Sequence, residues 1–118
     1  MTTPTPTAPD HVVALRAWAS GAPALEAAVD LLLTAFNGRF SAPDQPWVRR
    51  DGARWWLDVE VLADHLPGPW SGGERRVLQM VASLAGGPPV DLAEVLWLDD
   101  DLARLVLAAL AHVAGVRP

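Results

Sequence analysis

Cysteine, lysine, isoleucine and tyrosine are absent from this 118-residue chain, and asparagine occurs once, at Asn37. Without cysteine there is no disulfide, no thiolate nucleophile and no Cys-based zinc or iron–sulfur site. Without lysine there is no P-loop lysine, no Schiff-base lysine and no Ser–Lys dyad. The missing types share AT-rich codons, so a GC-rich genome accounts for them better than selection against any one chemistry. The three histidines, His11, His65 and His112, are scattered and show no spacing of a helical metal site. No cofactor and no metal are expected. Basic charge is also scarce: nine arginines against fourteen acids leave a net charge of −5, which excludes broad, charge-driven wrapping by nucleic acid. The longest strongly apolar run, Val29 to Phe36, is broken by Asp30 and is too short to span a bilayer. The start, MTTPTPTAPD, has neither a positive first region nor an apolar stretch, so it does not read as a secretory signal. Contact with a membrane is not expected, and the expected location is cytoplasmic.

What is present fits one domain. A chain of this length that is 51% hydrophobic can build a single core. Residues 1–9 read as a flexible Thr/Pro-rich tail, and 10–118 as one small orthogonal helical domain, mainly α with five to six short helices and one β-hairpin at about 47–57. Asp10 is placed to cap a helix His11 to Ser20 that ends at Gly21. Pro23 suits the first turn of a second helix, in which Leu25, Val29, Leu32, Leu33 and Phe36 recur at helical spacing before Gly38. Asp58 can cap a short helix through Leu66, although Trp55, Leu57, Val59 and Val61 also alternate as a longer strand would. Ser71 and Glu74 have the spacing of a capping box that opens a helix to about Ala85. A short helix Asp91 to Leu98 precedes a last one, Leu102 to Ala114. That last helix is apolar nearly all round, so it is either the central helix of the core or also meets another chain.

The segment Trp70-Ser-Gly-Gly-Glu-Arg-Arg-Val77 resembles the signature loop of ABC-type ATPases, and Val95-Leu-Trp-Leu-Asp-Asp100 resembles their Walker B strand. The resemblance implies that Ser71 and Gly73 contact a nucleotide phosphate and that Asp99 binds magnesium. It departs from the family in having no Gly-x-x-x-x-Gly-Lys-Ser/Thr loop, and the chain is too short for that fold. Independently of the family, Ser71, Gly72 and Gly73 at a helix start, with Arg75 and Arg76 in its first turn, form either a plain cap or an anion site.

Asp51-Gly52 flanked by tryptophans and valine is a strong hairpin signal. With those two residues as the turn, Arg50 pairs Ala53, Arg49 pairs Arg54, Val48 pairs Trp55 and Trp47 pairs Trp56. Val48, Arg50, Ala53, Trp55 and Leu57 then share the core face, and Trp47, Arg49, Arg54 and Trp56 share the outer one. The outer set reads as a self-contained cation–π ladder or as a binding patch, since Trp and Arg dominate interface hot spots. Asp99, Asp100 and Asp101 read as a solvated helix start, and no serine sits in a nucleophile-elbow context. The expected function is therefore a small protein–protein interaction or adaptor module without catalysis, self-associating or bound to a protein partner. The alternative is a phosphate or nucleic-acid binder that uses the Arg/Trp hairpin and the Ser-Gly-Gly helix start.

Overall fold

A computed structural model describes residues 10–116. The tail expected over 1–9 lies outside the described residues. The order is α1 Asp10–Ala19, α2 Pro23–Thr34, a 3₁₀ segment Ala35–Ser41, β1 Val48–Asp51, β2 Arg54–Leu57, α3 Val59–His65, α4 Gly72–Leu84, α5 Leu92–Val95 and α6 Asp100–Ala114. The domain is thus helical with one antiparallel two-stranded hairpin. Among the described residues no helix is long and apolar enough to cross a membrane.

The helix starts follow local chemistry. Asp58, Asp91 and Asp99 each stand in extended backbone and accept a hydrogen bond from an N–H two or three residues on, which satisfies donors that a helix start leaves open. Ser71 and Glu74 form a complete capping box. At the far end, Gly115 takes the left-handed conformation that closes α6. α5 is shorter than expected, because the chain turns out of the helix at Leu96.

The core is built on α2 and α4. Ala27, Ala28, Val29, Leu31 and Leu32 of α2 meet Val77, Leu78, Met80, Val81 and Ala82 of α4, all buried. Of the two places open to the last helix, the centre of the core is not the one it takes. Only Val106 and Ala109 of α6 are buried, while Leu107 is 55% exposed. α6 lies on the outside of α2 and α4 because the leucine- and valine-rich faces of those two helices already fill the centre.

α2 does not run on to Gly38. The chain leaves it after Thr34, and Phe36, Asn37 and Gly38 are three consecutive left-handed residues, with φ of 52°, 56° and 78°. This conformation costs about 1–2 kcal/mol for each non-glycine residue, so tertiary contacts must hold it. Phe36 packs edge-on against Phe40. Ser41 Oγ donates to the Gly38 carbonyl at 2.8 Å, and Trp47 Nε1 donates to the Phe40 carbonyl at 2.7 Å.

Trp47 is completely buried, and not on the outer hairpin face where the sequence pattern had placed it. It precedes β1 and packs against the rings of Phe40, His65 and Trp70. The hairpin register is also corrected: Asp51 pairs Arg54, Arg50 pairs Trp55, Arg49 pairs Trp56 and Val48 pairs Leu57. The turn residues are therefore Gly52 and Ala53, and only the glycine has positive φ. That pattern fits a II′ turn. An Asp-Gly turn would instead have forced Asp51 to positive φ and set Arg49 against Arg54. Each cross-strand partner moves by two positions, so the two faces keep their membership apart from Trp47.

Two substitutions test this account. Trp47→Ala is expected to lose about 3–5 kcal/mol in urea unfolding; a loss below about 1 kcal/mol would show that the ring does not hold the core. Gly38→Ala, whose Cβ would lie 3.2 Å from the Leu33 carbonyl oxygen, is expected to lose about 1–2 kcal/mol, whereas exposed Asn37→Gly should be neutral or gain up to about 1 kcal/mol. A destabilised Asn37→Gly would contradict the strain.

Candidate functional site

The outer hairpin face carries Arg49, Asp51, Arg54 and Trp56, with both arginines exposed and Trp56 half-buried. Arg49 lies across from Trp56 and Arg54 across from Asp51, so the like-charge opposition foreseen from the sequence does not arise. The cation–π contact forms on the other face, where the Arg50 guanidinium lies 5.1 Å from the Trp55 ring centre. His11 of α1 packs against the same indole. Arg50 also donates from Nε to the Gly52 carbonyl at 2.7 Å. Among the described residues Arg49, Arg50 and Arg54 form no ion pair, and the outer face carries two arginines against the single Asp51.

The Ser-Gly-Gly turn is occupied by the chain itself. Glu74 Oε1 accepts the Ser71 N–H at 2.9 Å, and Ser71 Oγ accepts the Glu74 N–H at 3.1 Å. Glu74 Oε2 accepts from Arg39 Nη1 at 2.6 Å. A carboxylate thus sits at the helix start where an external anion would be drawn. Arg75 turns back to donate to the Gly68 carbonyl at 3.1 Å, and Arg76 lies over Gly72. Gly73 allows Leu102 of α6 to pack close; a Cβ there would lie 3.3 Å from its methyl group. The five residues Ser71, Gly72, Gly73, Arg75 and Arg76 are brought together as a cap. The stretch that resembled a Walker B strand is α5, a turn and the start of α6, with Asp99 accepting the Leu102 N–H.

The corner between α5 and α6 carries what the sequence pattern did not single out. Trp97 is 76% exposed, with Leu92 50% and Leu96 36% exposed beside it in sequence. Asp91, Glu94, Asp99, Asp100 and Asp101 punctuate the same stretch and are all exposed. Among the described residues none of these five is in an ion pair. In the sequence Val95-Leu-Trp-Leu is one apolar run. Only Val95 is buried, because α5 ends at Val95 and the turn that follows carries Trp97 outward.

A groove of about 500 Å³ lies among α1, α2 and α6, and small side chains, Ala19, Ala27, Ala108 and Ala109, leave the room for it. Its rim holds the ion pair Arg16–Asp30 at 2.9 Å and a hydrogen bond between the His112 ring and the Glu26 carboxylate at 3.0 Å. The His112 hydrogen bond, helped by the Gly21 N–H, lowers the pKa of Glu26. Among the described residues no group of three or more His, Cys, Asp or Glu is placed to hold a metal ion. No protein-family model, curated protein or solved structure matches the chain.

Glu74 gives the test for the filled cap. The Ser71 N–H, and then the Arg39 guanidinium, hold its carboxyl below the usual range. A lowered folded value means stability that is present above the ordinary glutamate range, about 4.3, and lost as pH falls through the folded value. The urea midpoint should therefore drop below about pH 4. Glu74→Gln, which keeps a cap acceptor but cannot ionise, should flatten that drop. An equally steep fall in the variant would remove Glu74 from the account.

Proposed function

We propose that this chain is a protein-docking module, not an enzyme, and that it binds through the α5–α6 corner. The observation that carries the reading is the 76% exposure of Trp97. An indole has a large apolar surface whose burial is favourable by about 25 cal/mol per Å², and among the described residues most of this one is left uncovered. Trp is the residue type most enriched where truncation costs binding. Leu92 and Leu96 beside it in sequence are exposed too, and five exposed acids flank the same stretch. An apolar centre with a polar rim is the ordinary anatomy of a protein interface.

The reading moves the expected binding face from the hairpin to this corner, since Trp47 serves the core. The Ser-Gly-Gly turn gives less support to a phosphate binder, because Glu74 holds the position an anion would take. Trp97 lies outside the core, so replacing it should spare the fold.

The test is affinity capture with the tagged full chain, read by mass spectrometry, against Trp97→Ala and the control Trp18→Ala. Trp18 is 37% exposed on α1. The expected result is a captured protein, this chain itself included, that the control retains and Trp97→Ala loses by about 30-fold or more in affinity. Circular dichroism should be unchanged. Capture of the same proteins by both variants, or of none by the parent chain, would overturn the reading.

A further inference from the structure

Resting on that reading, we infer that the occupant of the α5–α6 corner is the outer hairpin face of a second copy, with Arg49, Arg54 and Trp56, docked head to tail. The argument is charge complementarity. The corner carries five exposed acids, Asp91, Glu94, Asp99, Asp100 and Asp101, on either side of Trp97 in sequence, and the outer hairpin face carries two exposed arginines, Arg49 and Arg54, with one aspartate, Asp51. Among the described residues none of these acids or arginines is in an ion pair.

The partner chemistry that Trp97 and these acids call for is arginine. A guanidinium pairs with carboxylates through a planar fork and stacks on an indole face, and lysine does the first less well and the second weakly. The hairpin ribbon supplies such groups on a rigid two-stranded element, with the half-buried Trp56 beside Arg49. The two surfaces belong to different parts of the fold: β2 packs on α1, and α5 packs on α4. A copy can therefore offer its ribbon to one neighbour while its own corner receives another.

Corner-on-corner pairing is the symmetric alternative, and it opposes five carboxylates to five more. Like charges across an interface select against that arrangement. A head-to-tail contact pairs opposite signs and leaves one free surface of each kind, so it grows into a ring or an open chain.

The experiment is light scattering on the full chain over a range of concentrations and salt, with two variants. Trp97→Ala blocks the corner, and the double variant Arg49→Glu, Arg54→Glu blocks the ribbon. The parent chain is expected to gain mass with concentration and to lose it as salt rises from about 0.05 M to about 0.5 M. Each variant alone should be monomeric. An equimolar mixture should form a dimer and nothing larger, because only one intact corner and one intact ribbon remain, on different molecules. A mixture that stays monomeric would overturn the inference, as would a ribbon variant that assembles as the parent does. If the parent chain is monomeric throughout yet captures a foreign protein through Trp97, this inference fails while the docking reading stands. Loss of Trp97-dependent binding of every kind would remove both.

Discussion

The burial of Trp47 is the constraint on which the rest of the structure depends. Its indole N–H has to find an acceptor once the ring is out of water, and the acceptor is the Phe40 carbonyl at 2.7 Å. That bond fixes the 3₁₀ segment after α2, which carries three left-handed residues. The Trp47 carbonyl in turn accepts the Asp58 N–H at 2.8 Å, which closes the base of the hairpin and sets the start of α3. Edge-on contacts with His65 and Trp70 bring in the end of α3 and the entry to α4. Trp70 is itself held by a bond from its indole N–H to the His65 carbonyl at 2.7 Å. One side chain thus ties together the 3₁₀ segment, the base of the hairpin, the end of α3 and the entry to α4.

With that junction in place, α2 and α4 fill the centre, and everything else is arranged around them. α6 is left on the outside, resting on Val106 and Ala109. Its alanines leave a groove where larger residues would have closed the contact with α2. The hairpin is braced by α1, so its outer face and its arginines stay in solvent. The short α5 ends too early to bury Trp97. The surface therefore separates into a hairpin face with two arginines and an acidic corner with exposed apolar residues, and this separation is a property of the fold. Neither a net charge of −5 nor a local count of arginines reveals it.

The capping box shows how a motif can be recognised in the sequence while its partner is not. Ser71, Gly72 and Gly73 were legible as a helix start, and their free N–H groups suggested an anion. The ligand is internal, because Glu74 reaches back and Arg39, far away in sequence, pairs with it. The Arg39 contact spans 35 residues and could not be read from local spacing.

The sequence by itself determined what depends on neighbours within a few residues. Helix starts at Asp58, Ser71 and Asp99, the breaks at glycine and proline, the hairpin and its two alternating faces all follow from local backbone chemistry. Tertiary structure alone decided what depends on competition for one core. Trp47 went inside because Phe40, His65 and Trp70 surround it, whereas Trp97, in an equally apolar stretch, stayed outside because its helix ends before it. The turn slid by one residue because Gly52 tolerates positive φ without cost and Asp51 does not. Apolarity tells which side chains gain from burial, but the limited volume between α2, α4 and the aromatic junction settles which of them obtain it.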